Sequence, residues 1–330
     1  MDKDASGKFI ISLDFELMWG VRDVVTKETY GQHIKGVHQA LPRILRTFTD
    51  FDIKATIAAV GFLFFRNKEE LLNSLPELKP AYTDKNLSPY GDYIENIVGE
   101  DRAADPYHFG SHLIELIKQT PGQEIGTHTF SHYYCLEEGQ TREQFRQDIE
   151  AAIAIGKKRN LQIQSIIFPR NQVNEDYLTI CAEMGITSYR SNENSWLYKA
   201  RSLKAETIFR RSIRLLDAYI NLSGHHCYKD VSMKNVAIVN IPSSRFLRPY
   251  MARLDWFEGL RLKRIKKSMT HAAKHNLLYH IWWHPHNFGI NQEKNIEFLQ
   301  KILQHYQYLH LRYGFTNYTM NEYAEMLKAK

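Results

Sequence analysis

Eight short apolar runs alternate along the chain with longer stretches of helical period, and this alternation constrains the fold more than any other feature of the sequence. The runs are KFIISL (8–13), IKATIAAVG (53–61), EIGTH (124–128), IQSIIF (163–168), ITSYR (186–190), VAIVNI (236–241), LLYHIWW (277–283) and FTNYT (315–319). Most are apolar on both faces, as strands covered by helices must be. Between them, Thr141 and Gln144 spell a capping box, and Phe145, Ile149, Ala152 and Ile153 follow on one helical face. A second helix is expected from Asn174, its N-cap, to a stop at Gly185. Seven or eight such β–α units predict an α/β fold with a parallel sheet closed into a (β/α) barrel.

No Pro/Gly/Ser-rich linker divides the 330 residues, so one domain spanning 1–330 is expected. Residues 62–122 and 191–235 are too long for plain crossovers and read as lids or substrate walls. No run of eighteen apolar residues occurs, and the start MDKDASGKFIISLDF lacks the apolar stretch of a secretory signal, which predicts a cytoplasmic location. Cys135, Cys181 and Cys227 are odd in number and widely spaced, which argues against a disulfide framework. The net charge of +6 is modest and carries no nucleic-acid motif, so nucleic acid is not an expected partner.

In a parallel barrel the functional groups gather where strands end at their carboxyl side. The first run ends in Asp14-Phe15-Glu16, the third in His128 with His132 four residues on, the fourth in Pro169-Arg170-Asn171, and a late one in Trp282-Trp283-His284-Pro285-His286. Asp14 and Glu16 are two apart, so their carboxylates point to one side of a strand. Two imidazoles and one carboxylate make a three-ligand site with a coordination position left open, as catalytic zinc requires. Co²⁺, Ni²⁺, Fe²⁺ or Mn²⁺ can use the same set.

In order along the chain, SLDFE, ATIAAVGF, HTFSH, FPRN and WWHPH resemble the motifs of the polysaccharide deacetylase family, the metal-dependent carbohydrate esterases. The resemblance implies a distorted (β/α)7–8 barrel with long inserted loops and the hydrolytic removal of an N- or O-acyl group. Carried over position by position, it makes Asp14 the general base and Glu16, His128 and His132 the metal ligands. It makes Arg170 the partner that orients Asp14, and His284 the general acid. Asn171, Trp283 and His286 are expected to touch the substrate. The chain departs from the family in separating its two carboxylates by Phe15 and in placing Arg170 after Pro169 rather than before a proline.

Residues 245–274 hold nine Lys or Arg against two acids. A helical reading puts Leu254, Phe257, Ile265, Met269 and Ala272 on one face and leaves Arg261, Arg264, Lys266 and Lys267 free. Such a face suits the phosphate of a nucleotide or lipid carrier, or peripheral association with the inner membrane surface. The expected activity is therefore removal of an N-acetyl group from an amino sugar during cytoplasmic synthesis of a surface polysaccharide. A deformylase of a formamido sugar and a non-catalytic carbohydrate-binding barrel are the alternatives.

Overall fold

The computed structural model describes residues 6–198, 208–230 and 236–329. Among the described residues nine strands form one sheet: β1 (Lys8–Phe15), β2 (Ala55–Ala59), β3 (Gln123–Thr127), β4 (Ser165–Ile167), β5 (Ser188–Arg190), β6 (Val239–Asn240), β7 (Arg245–Phe246), β8 (Leu278–Trp283) and β9 (Thr316–Tyr318). All pairings between them are parallel, in the order β6-β5-β4-β3-β2-β1-β8-β7, with β9 beside β1. The helices are α1 (Lys27–Asp50), α2 (Lys68–Leu72), α3 (Ser111–Gln119), α4 (Arg142–Lys158), α5 (Leu178–Glu183), α6 (Ile208–Asp217), α7 (Glu258–Lys274), α8 (Gln292–Tyr313) and α9 (Met320–Lys328). The expected distorted (β/α)7–8 barrel is the observed architecture.

β6 and β7 are successive pieces of one extended segment that closes the ring. On one side Val239 donates to the Thr187 carbonyl just before β5 and Ile241 to the Tyr189 carbonyl within it, at 2.8 and 2.9 Å. On the other, Ser244 and Leu247 donate to His280 and Trp282 of β8, each at 2.7 Å. Residues 245–246 are thus strand, and the helix in this region begins at Glu258. Six residues of distorted 3-10 turn precede it, so Phe257 is half exposed instead of buried. Arg261 and Arg264 are also buried, contrary to expectation. Arg261 donates to the Arg248 carbonyl and pairs with Glu258, while Arg264 reaches Ser268 and the Gly224 carbonyl.

The period of two on β1 divides the interior into two cores. Phe9, Ile11, Leu13 and Phe15 face outward into the layer between sheet and helices, together with Ile34, Leu41 and Phe48 of α1. Ile10 faces inward and meets Met320, Tyr323, Ala324 and Leu327 of α9, which plugs the amino end of the barrel. Above that plug the inward positions turn polar: Ser12, Asp14 and then Glu16, all buried. Helix α4 begins with the capping box expected at Thr141 and Gln144. Of the two long excursions, 191–235 lies partly outside the described residues, while 62–122 contributes short turns, α2 and α3.

A close backbone approach seats the loop after β8. A Cβ on Gly36 of α1 would stand 1.9 Å from the Gly289 carbonyl oxygen, and one on Gly289 would stand 1.9 Å from the His33 carbonyl oxygen. Only glycine at both positions lets the 3-10 turn Pro285–Phe288 lie against α1.

Candidate metal centre

The carboxyl ends of β1, β3 and β8 bring Glu16, His128, His132 and His284 together. Donor atoms of Glu16, His128 and His132 all lie within 4.8 Å of one another, and all three residues are buried. Glu16 Oε2 is 3.4 Å from His128 Nε2 and 3.1 Å from His132 Nε2. Burial pushes the Glu16 carboxyl up, but His284, His128 and His132 prevail and hold it well below the usual carboxylate range.

These donors fit a divalent cation. His128 donates from Nδ1 to the Ile167 carbonyl at 2.8 Å, which fixes the tautomer and leaves the Nε2 lone pair facing Glu16. Burial pushes His132 down to about 4 against the pull of Glu16, so its ring is neutral at physiological pH. Two imidazole nitrogens and an ionised carboxylate make a three-residue site that leaves a position open. Glu16 has room because residue 20 is glycine: a Cβ there would fall 2.0 Å from the Glu16 carboxyl carbon.

The segment carrying the histidines is strained and clamped. Thr129 and His132 both adopt φ of 61°, a left-handed conformation costly for a β-branched threonine. Thr129 Oγ1 accepts from the Tyr133 amide at 2.7 Å. Asp148, buried on α4, accepts from the amides of Phe130 and Ser131 at 2.7 and 3.1 Å and from the Ser131 hydroxyl. Burial raises this carboxyl to about 6.

Asp14 stands beside the cluster, but its partner is not Arg170. Arg190, at the inward end of β5 and fully buried, donates to both Asp14 oxygens at 2.7 Å. It also donates to Ser12 at 3.0 Å and lies over the Trp282 ring at 4.0 Å. Burial opposes ionisation of Asp14, yet Arg190, with His128 and His284, keeps its carboxyl below the ordinary value. Arg170 instead pairs with Asp23 and lies over Tyr134 at 4.2 Å. The cause is local: Arg170 sits in a 3-10 turn with φ of 53°, which aims its side chain away from β1.

Two further expectations change. Trp283 is fully buried, edge-on to Phe48 and stacked on Phe288, because the period of two sends it outward while Trp282 and His284 face the cup. His286 is buried too, stacked on His284 at 4.7 Å with its Nδ1 3.8 Å from Glu16 Oε1. Burial and His284 push His286 down to about 3. It therefore backs the cluster and does not face a substrate. Asn171 accepts from Arg190 Nη2 at 2.8 Å and also lines a cavity of about 810 Å³ with Asn192, Trp196 and Tyr228. His284 Nδ1 lies 3.3 Å from Asn287 Oδ1, which leaves Nε2 toward the carboxylates, 3.8 Å from Asp14 Oδ2 and from Glu16 Oε1.

The sequence reading missed Arg190, Asp148 and Gly20. Arg190 had a signal: it is the charged terminus of ITSYR, on the same inward parity as Ser188. Asp148 had only its place in an otherwise apolar helical stripe.

The sequence model of the polysaccharide deacetylase family matches residues 29–189, a span that holds His128, His132 and Arg170. The resemblance carried by the five motifs is borne out. No curated protein matches the sequence. Among solved structures, a Mycobacterium smegmatis protein described as a polysaccharide deacetylase is similar over 98% of this chain and 91% of its own, at 12% identity and a TM-score of 0.58. A Pseudomonas aeruginosa PAO1 protein described in the same way is similar over 98% of this chain and 92% of its own, at 12% identity and a TM-score of 0.53. The Puue allantoinase is similar over 98% of this chain and 91% of its own, also at 12% identity and a TM-score of 0.53. At such identity the likeness concerns the fold.

Proposed function

Taking as premise a chain whose residues 29–189 match the polysaccharide deacetylase family, we propose that it is a metal-dependent hydrolase removing an N-acyl group, N-acetyl first, from an amino sugar. The observation that carries the reading is the meeting of Glu16, His128 and His132 within 4.8 Å of one another, with Asp14 and His284 alongside. Zinc suits this donor set. When bound, a divalent cation supplies Lewis acidity, lowering the pKa of water and polarising the acyl carbonyl.

The chain's own residues divide the proton transfers. Asp14, kept ionised by Arg190, takes the proton of the attacking water, a role worth about 10²–10⁴-fold. His284 Nε2, facing the same space, delivers a proton to the departing sugar amine. The bonds from Arg190 to Ser12 and Asn171 fix the guanidinium that holds Asp14. Asn171, which accepts from the Arg190 that holds Asp14, lines a cavity with Asn192, Trp196 and Tyr228 whose amides and ring faces suit sugar hydroxyls and the sugar's apolar face. A nucleotide- or lipid-linked precursor of a surface polysaccharide, handled in the cytoplasm, is the substrate form this reading favours.

The test is acetate release from free, nucleotide-linked and lipid-linked N-acetylated amino sugars, using chelated protein and protein reloaded with Zn²⁺. Turnover by the reloaded protein alone is expected. Tight metal binding without turnover of any acylated sugar would overturn the reading.

A further inference from the structure

The stretch that joins β7 to β8 carries an apolar prow whose place in the fold sets its direction. Helix α7 leads from the carboxyl end of β7 to the amino end of β8, so it begins on the barrel rim where Asp14, Glu16 and His284 are presented. On that rim Trp256 is 94% exposed, Phe257 49% and Leu260 45%. Tyr219 packs edge-on against Phe257 at 6.1 Å, which brings the exposed Ile220 to the same patch.

Polarity changes along the helix. Leu260, Lys263 and Lys267 recur at intervals of three or four, which places them on one face of α7, while Trp256 and Phe257 end the 3-10 turn that leads into it. Lys263, Lys266 and Lys267 line a groove of about 470 Å³ with Leu262, Thr270 and His305. Of the two acids between 245 and 274, Glu258 is held by Arg261, which leaves Asp255 against the lysines.

We propose that this face docks on an anionic phospholipid bilayer, with Trp256, Phe257 and Leu260 entering the interface and Lys263, Lys266 and Lys267 meeting headgroup phosphates. An indole and a phenyl ring beside a basic helical face is the composition that settles at a bilayer surface. Charge complementarity selects the occupant. A second copy paired symmetrically through this face would bring the same excess of lysines over acids into the contact, whereas an anionic leaflet neutralises it. Docking in this sense holds the mouth of the barrel against the bilayer. It stands apart from the metal chemistry, although a lipid-carried sugar would reach the cup directly.

The experiment is co-sedimentation of the full chain with phosphatidylcholine vesicles, with and without phosphatidylglycerol. The variants are Trp256→Ser/Phe257→Ser and Lys263→Glu/Lys267→Glu. Wild-type protein is expected on the anionic vesicles only, with each lysine accounting for about a fivefold change in partitioning and salt weakening it. Both variants should lose binding while keeping wild-type melting temperature and acetate release. The proposal is overturned by absence of vesicle binding, or by binding that both variants retain. It is also overturned if inorganic phosphate at constant ionic strength abolishes binding while the aromatic variant does not, which would mark an ion site only. A wild-type dimer in sedimentation velocity that the aromatic variant dissociates would make a second copy the occupant and overturn it equally.

Discussion

Replacing Arg190 and Arg170 in turn asks which arginine keeps Asp14 ionised. Arg190 makes two 2.7 Å bonds to Asp14, one to Ser12 and a 2.8 Å bond to Asn171, all without solvent exposure of its side chain. Arg190→Ala leaves a buried carboxylate without its counter-charge, which costs about 3–5 kcal/mol for a broken buried pair. That is a large share of an ordinary domain's 5–15 kcal/mol, so the melting temperature must drop. With the Arg190 charge gone and only His128 and His284 left to oppose burial, the Asp14 carboxyl rises and a smaller share of it is ionised at neutral pH. A base must be ionised to accept a proton. The acid limb of the kcat profile therefore moves to higher pH, and kcat at neutral pH falls about 10²–10⁴-fold, with part recovered in alkali. Arg190→Lys keeps the charge but loses the fork, and should fall between. Arg170→Ala strips a partner from the buried Asp23 and lowers stability, yet leaves the acid limb in place. Acetate release by zinc-loaded protein across pH, with melting curves for each variant, decides the matter. If Arg170→Ala moves the limb and Arg190→Ala does not, the assignment is wrong.

Elemental analysis after dialysis should find metal lost in His128→Ala and His132→Ala and retained in His284→Ala; loss in all three would refute the division between ligand and acid. Gly20→Ala should reduce metal occupancy without replacing a ligand, because its Cβ would fall on the Glu16 carboxyl; unchanged occupancy would show that Glu16 does not need that space. Asp148→Ala orphans the Phe130 and Ser131 amides at about 1–3 kcal/mol each and should weaken metal binding about 10–100-fold in a chelator competition. In metal-free protein, burial holds His132 down to about 4 and His280 and His286 down to about 3. The unfolded chain takes up these protons near pH 6.5 and the native protein does not, so stability is full above pH 6.5 and declines as pH falls from there toward 4. Each proton contributes a slope of up to about 1.4 kcal/mol per pH unit. A melting temperature that is flat from pH 7 to 5 would contradict this.

Eight of the nine strands were legible because each is a short apolar run between helical patterns. β7 escaped: Arg245–Phe246 is two residues long, and its role as a closing strand depends on β8 and not on its own composition. The metal cluster was legible for a similar reason to the strands. A strand-end position and a period of two place Asp14, Glu16 and His128 without knowledge of neighbours. The same period, applied to LYHIWW, separates Trp282 from Trp283, but only once His284 is known to face inward.

The sequence by itself determined the alternation of strands and helices, the strand ends that carry the chemistry, and the shared side of Asp14 and Glu16, since run length and strand parity are local properties of the chain; which of the two carboxylates stands with His128 and His132 did not follow from parity. Only the tertiary structure decided that Arg190 and not Arg170 holds Asp14, that His286 is buried behind the cup, and that α7 hides two arginines while the turn before it exposes Trp256. Those outcomes turn on which groups meet in space, 176 residues apart for Arg190 and Asp14 and 40 for Arg264 and Gly224, and on how much water each loses. Charge pairing at that range follows burial and three-dimensional proximity, and a motif one residue out of its usual order carries no information about either.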